Sequence, residues 1–291
     1  MTISRHIALR AYYYGTWPYR RWAFKQAAAR GQIPISILFY HRVADYSPND
    51  WTISNERFKR QVRWLQRNFD LISLEEAQRR LRERASARPA VCLTFDDGYA
   101  DNCTHALPLL ADAGIPCTYF VSSRFVQDQR PFPHDVIRNQ PLAPNTIDQL
   151  RGLVRAGIEI GAHTRTHLNL ASVTDPSQLR DEIVAPRSEL EAWLDCTVRY
   201  FAFPYGQLQD ISQLAMRVAR DAGYQGVCSA YGGYNMPTAD PFHLRRIHGD
   251  PLMIRIKNWL TIDPRQPAIV RRLEQKFTWS DPTSQVDGTP S

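Results

Sequence analysis

What most restricts the fold of this chain is a repeated alternation of short apolar runs with amphipathic stretches, unbroken from about residue 33 to about residue 260. Residues 33–40 (IPISILFY) form a first apolar, β-branched run, after which Phe58, Val62, Leu65 and Phe69 recur at helical spacing. Residues 71–74 lead into a charged helical stretch, EEAQRRLRER, and residues 90–95 give the next strand. A helix over 101–113 closed by Gly114, a strand over 117–122, a helix over 146–156 ended by Gly157 and a strand over 158–161 follow. The pattern continues with a helix over 178–194, a strand over 198–203, a helix over 211–222 ended by Gly223, a short strand over 226–229, a strand over 243–248 and a helix around 254–260. About seven β/α units without a linker predict an α/β fold, a (β/α)7 barrel whose parallel sheet is closed or nearly closed, with right-handed crossovers. The division expected is a basic aromatic segment at 1–32, a barrel domain at 33–262 and a polar tail at 263–291, disordered after about Trp279. Residues 123–145, rich in Pro and Gln and without periodicity, read as a long loop of the kind that usually carries function.

The net charge of +7 invites a nucleic-acid reading until it is located. Arg5, Arg10, Arg20, Arg21, Lys25 and Arg30 lie within the first 32 residues with no acid among them, so the body of the protein is close to neutral and no nucleic-acid partner is expected. Seven aromatics from Tyr12 to Phe24 interleave with these bases, a composition suited to peripheral contact with an anionic membrane, with helical packing under the barrel as the plainer alternative. No window approaches the roughly 18 consecutive apolar residues of a membrane span, and the first 22 residues lack the pattern of a signal peptide. The expected location is cytoplasmic, with peripheral contact at the inner membrane face through residues 1–32 as its extension. Cys92, Cys103, Cys117, Cys196 and Cys228 form no CxxC pair and read as small hydrophobes, not bridges or metal ligands.

The polar residues that survive this reading share one position. His41 follows the first strand, Asp96 and Asp97 end the strand AVCLTF, His163 ends IEIGA, Pro204-Tyr205 ends VRYFAF, and His248 ends HLRRI. An Asp-Gly pair alone marks a turn, but several such groups at strand ends converge on the carboxyl-terminal mouth of a barrel. His163 and His167 are spaced i, i+4, so in one helical turn or tight loop both imidazoles face one way, and a carboxylate from a neighbouring strand end completes a three-ligand site. His-His-carboxylate suits zinc, and iron, cobalt or nickel less specifically. One of the paired carboxylates can then hold the metal while the other takes a proton from water, because the cation keeps both ionised.

TFDDGY, HTRTH and FPYG, in this order, resemble the motifs of the polysaccharide deacetylases of the NodB-homology type, metal-dependent enzymes that remove acetyl groups from sugars on a distorted barrel. The resemblance spans roughly residues 35–250. It implies Asp96 as catalytic base, Asp97, His163 and His167 as ligands of a divalent metal, Zn2+ above others, and the Tyr205 N–H as part of an oxyanion hole. It also implies His248 as the acid that protonates the departing amine, with His41 as competitor, and His41, Pro204, Leu244 and Ile247 as substrate-binding residues, Leu244 or Ile247 lining the acetyl-methyl pocket.

Two departures stand out. The family often carries an arginine two residues before the proline of the third motif, where Ala202 stands here, and the Asp and Trp of the usual fourth motif are missing from CSAYGGYN. The chain thus resembles the divergent members with an FAxPYG-like third motif. The expected activity is metal-assisted removal of N- or O-acetyl groups from a glycan or glycan precursor. The alternatives are an amidase acting on a non-sugar C–N bond and a weak sugar-binding module that keeps the metal; Asp96 beside the ligands argues against the last, since a binder needs no base.

Overall fold

A computed structural model of the chain describes residues 3–266 and 268. The chain starts with two helices, α1 (Ile3–Gly15) and α2 (Trp17–Ala29), and enters the sheet at β1 (Ile35–Tyr40). A short parallel pair, β2 (Arg42–Val43) and β3 (Thr52–Ile53), leads to α3 (Asn55–Asn68), β4 (Asp70–Leu71) and α4 (Leu74–Arg82). Then come β5 (Ala90–Phe95), α5 (Ala106–Asp112), β6 (Cys117–Val121), α6 (Ser123–Asp128), α7 (Pro133–Ile137), α8 (Ile147–Arg155) and β7 (Glu159–Ala162). The last part runs α9 (Pro176–Leu194), β8 (Tyr200–Ala202), α10 (Gln213–Asp221), β9 (Gly226–Ser229), β10 (His243–Arg245), β11 (Ile247–His248) and α11 (Met253–Leu260). The stretch read as one strand over 243–248 is thus two, and the long loop over 123–145 contains two short helices.

Break and closure have one cause. The main sheet runs β10-β9-β8-β7-β6-β5-β1-β11, with β4 attached to β5 and every pairing parallel. Its two ends, β10 and β11, are consecutive pieces of one stretch, so the chain bridges the seam by pairing first with β9 and then with β1. The result is a nearly closed barrel surrounded by helices.

Alternation along the strands sorts the core into two layers. Leu38, Tyr40, Val91, Leu93 and Phe95 face outward into the large cluster under the helices, where α3 contributes Phe58, Val62 and Leu65 at helical spacing. Ile35, Ile37, Ala90, Cys92, Phe120, Tyr200, Ala202, Cys228 and Leu244 face inward and pack with Leu74, Ala77 and Leu81 of α4. Gln78 on that helix bonds the carbonyls of Gln225 and Pro241, which precede β9 and β10, so α4 closes the amino-terminal end of the barrel. Cys92, Cys117 and Cys228 are buried free thiols, as their apolar setting predicts.

The amino-terminal helices lie beside that closure rather than forming it. Arg20 is buried and bonds the carbonyl and side-chain oxygens of Asn258, and Tyr12 donates to Asp263. Asp263, the first residue of the expected tail, is therefore packed into the body; the expected disorder after Trp279 lies outside the described residues.

Candidate active site

Asp96 continues the inward phase of β5, following Ala90, Cys92 and Thr94 at every second position, and ends at the mouth with only 2% of its surface exposed. A buried carboxylate needs a counter-charge. Arg246, fully buried at the break between β10 and β11, supplies it through two bonds of 2.6 and 2.9 Å, one to each Asp96 oxygen. The same guanidinium bonds Ser229 O at 3.0 Å and Thr94 Oγ1 at 3.2 Å, and lies against the rings of Phe39 and Phe120. The strand break therefore both closes the barrel and aims this arginine inward. LRRI carried no signal for it beyond an arginine in a strand-like run.

Asp97 turns away from its neighbour by adopting a left-handed backbone, φ 73°, followed by Gly98 at φ 94°. At Gly98 a Cβ would also sit 3.0 Å from Val121, so the turn needs glycine on both counts. The turn sets Asp97 Oδ1 3.4 Å from His163 Nε2 and 3.2 Å from His167 Nε2. His163, at the end of β7, places Nδ1 2.8 Å from Ala202 O. A carbonyl only accepts, so Nδ1 holds the proton and Nε2 presents a lone pair toward Asp97. Asp97 Oδ1 is itself buried and accepts no hydrogen bond.

These atoms, all within 4.8 Å of one another, are lone pairs turned toward a common point, which is the donor set a divalent cation requires. The residues present thus fit a metal.

His167 reaches this point through a tight loop, not a helix. Thr164 and His167 both have positive φ, 57° and 59°, and Glu182 on α9 staples the bend. Its carboxylate accepts from Arg165 N at 3.1 Å, Thr166 N at 2.9 Å and Thr166 Oγ1 at 2.6 Å. Nothing in the motif itself points to Glu182; it was invisible without the tertiary contact.

Around this centre stand the other expected residues. His41 and His248 lie with ring centroids 6.2 Å apart, each beside Phe39. Burial, aided by His41, pushes His248 down to about 4, and burial likewise lowers His41 against the pull of Asp97 and Asp96. Pro204 is buried, whereas Tyr205 is 58% exposed, with φ 61° and its ring 5.4 Å from that of His167. The Tyr205 N–H has no hydrogen-bond partner among the described residues. Leu244 lies in the inner layer, but Ile247, paired in register with outward-facing Leu38, belongs to the outer one. Of the two residues expected as alternatives for an acetyl pocket, Leu244 therefore stands on the inner face and Ile247 on the outer, since strand positions an odd number apart face opposite sides.

The stretch over 123–145 adds a wall the motifs did not reveal. His134 stacks on Phe132, lies edge-on to Trp51, and is 5.9 Å ring to ring from His167. Its Nε2 is 3.0 Å from Tyr99 Oη, which donates to buried Asp135 at 2.9 Å.

Comparison with known proteins agrees with this geometry. Residues 83–227, which carry Asp96, Asp97, both imidazoles and the third motif, match the family model for polysaccharide deacetylase. Over this segment the chain belongs to the polysaccharide deacetylase family, a family of carbohydrate deacetylases. It is 24% identical over 221 residues, 75% of this chain and 72% of the relative, to "Putative polysaccharide deacetylase YxkH" of Bacillus subtilis (strain 168). It is 33% identical over 123 residues to a chitooligosaccharide deacetylase of Bradyrhizobium sp. (strain ANU 289), a match covering 42% of this chain and 48% of that protein. The fold resembles IcaB from Ammonifex degensii, with TM-score 0.67 and 24% identity over 79% of this chain and 97% of that one. It also resembles the Streptococcus pyogenes deacetylase PplD, with TM-score 0.65 and 20% identity over 83% and 98%.

For this deacetylase domain the structure accounts for the missing third-motif arginine. Ala202 gives its carbonyl to His163, and the guanidinium that meets Asp96 arrives from the seam of the barrel as Arg246. Among the described residues no helix is long and apolar enough to cross a membrane.

Proposed function

We propose that the chain is a metal-dependent hydrolase that removes N-acetyl groups from oligosaccharides of acetylated amino sugars. One observation carries the reading: Asp96, a buried carboxylate held at both oxygens by Arg246, adjoins Asp97, whose buried oxygen meets two imidazoles without a hydrogen bond. The names of the relatives, chitooligosaccharide deacetylases at 33% and 31% identity, support the substrate class.

Asp97, His163 and His167 would hold a divalent cation, Zn2+ by the chemistry of the donor set, which would supply polarisation of the acetyl carbonyl and a more acidic water near neutral pH. Asp96 takes the proton of the attacking water. Arg246 fixes the orientation of that carboxylate through one bond to each of its oxygens. The unpartnered Tyr205 N–H, exposed by the left-handed turn, donates to the oxyanion as the tetrahedral intermediate forms. Proton return to the leaving nitrogen falls to a histidine at the mouth. Because burial makes both His248 and His41 poor proton holders, neither is a ready-charged acid at neutral pH, and the proton delivered is one released during the reaction. Leu244, on the inner wall, remains the apolar residue for the acetyl methyl.

The test is acetate release from N-acetylglucosamine oligomers together with elemental analysis. Asp97→Ala, His163→Ala and His167→Ala each lose metal and activity, whereas Asp96→Asn keeps its metal and loses roughly 10²- to 10⁴-fold in rate. Equal metal loss in Asp96→Asn overturns the division of roles, and no acetate release by the zinc-loaded protein overturns the substrate class. His248→Ala and His41→Ala, compared by kcat and by metal content, assign the proton relay to whichever variant loses rate while keeping its metal.

A further inference from the structure

Large apolar side chains that remain exposed on this protein are not scattered. Ile7, Tyr14, Trp17, Tyr19, Trp22 and Phe24 all lie on α1 and α2, with exposures between 37% and 66%. Of the rest, Val136 and Ile137 lie on α7, and Tyr46, Tyr205 and Met236 lie in loops. Between the aromatics of α1 and α2 stand Arg5, Arg10, Arg21, Lys25 and Arg30, all exposed. Among the described residues none of these five has a carboxylate within ion-pair distance. Some exposed arginines on other helices are matched by acids, as Arg79 is by Glu76 and Glu83, Arg124 by Asp128 and Arg151 by Asp148, whereas Arg57, Arg63 and Arg67 of α3 have no carboxylate within ion-pair distance among the described residues. What sets α1 and α2 apart is that residues 1–32 contain no acid and that exposed aromatics accompany their bases. The sixth base, Arg20, is buried and fixes the pair of helices to α11.

A groove of about 600 Å3 runs beneath α2, lined by Trp17, Phe24, Ile33, Pro34, Trp64 and Leu260, with Arg21 and Lys25 also on its lining. Ile33 and Pro34 precede β1, so this surface lies at the amino-terminal pole, whereas Asp96, Asp97, His163, Tyr205 and His248 follow the carboxyl ends of their strands. Unmatched cations beside exposed Trp, Tyr and Phe are what an anionic lipid interface accepts: rings seat at headgroup level and bases meet lipid phosphates and carboxylates.

We infer that α1 and α2 form a docking surface for an anionic bilayer, with α2 seated at the pole opposite the catalytic mouth and α1 along the flank beside α11. Docking there turns the mouth away from the lipid. The enzyme, on the function proposed above, then works on glycan that extends into water rather than on sugar at the headgroup plane.

The docking test is independent of activity. The full chain is sedimented with phosphatidylcholine vesicles containing or lacking 30% phosphatidylserine, at about 0.1 and 0.5 M salt, and with heparin as a non-lipid polyanion. Binding to the anionic vesicles alone, weakened by salt, is expected. Each base near the surface contributes about fivefold, so Arg10→Ser, Arg21→Ser and Lys25→Ser together reduce partitioning by about a hundredfold. Brominated lipids quench the tryptophan fluorescence of the unaltered protein, and Trp17→Phe with Trp22→Phe removes that quenching. Acetate release from soluble oligomers stays unchanged in all these variants, which keeps a misfolded protein from passing as a positive result. Absence of vesicle binding, equal binding to neutral vesicles, or heparin binding without vesicle binding overturns the proposal.

Discussion

Replacing Arg246 by methionine removes the guanidinium while keeping an unbranched side chain of similar reach. Asp96 is left 2% exposed with neither of its charge-assisted bonds, and Ser229 O and Thr94 Oγ1 also lose a donor. Breaking one side of a buried ion pair costs about 3–5 kcal/mol, a large part of the roughly 5–15 kcal/mol that keeps a domain folded. The cost is the stranded carboxylate, not the lost packing. Asp96→Asn in the same chain should therefore restore about 2 kcal/mol or more, giving strong coupling in a double-mutant cycle read by denaturant unfolding. Loss of under about 1 kcal/mol in Arg246→Met, or additive losses in the double variant, would refute the claim that this arginine exists to hold a charged Asp96.

Glu182→Ala deletes the staple of the bend between the two imidazoles, and metal affinity measured by chelator competition should weaken about 10- to 100-fold with little change in fold. Gly161→Ala places a Cβ 2.4 Å from the Phe120 ring, which lies against Arg246; overpacking of about 1–3 kcal/mol should lower Tm, and Phe120→Leu in the same chain should recover part of it. His243 and His248 are both pushed down to about 4 from 6.5, chiefly by burial. Between those values the unfolded chain binds more protons than the folded one, so stability falls as pH drops through that window, by about 3 kcal/mol for each group at the acid end. Urea unfolding from pH 7 to pH 4 checks this, and His243→Phe should flatten the decline.

The barrel was legible in the sequence because period-2 and period-3.6 apolar patterns report burial directly. Helices ended where Gly157 and Gly223 allowed a left-handed backbone, φ 84° and 82°. The cluster of Asp97, His163 and His167 was legible for a related reason: each residue sits at or just past the end of a strand, and strand order brings those ends to one mouth. What the sequence could not contain was phase and closure. Ile247 and Arg246 are neighbours, yet one packs outward and the other reaches Asp96 across the interior, a distinction decided by where the last strand leaves β9 and joins β1. The Glu182 staple and the His134 wall were hidden likewise, since both act across folded contacts between segments with no shared periodicity. Local pattern fixes which face of an element is apolar. Only the closed barrel determines which charged side chain from a distant strand meets a buried carboxylate, because that partner is chosen by geometry between strands and leaves no repeat along the chain.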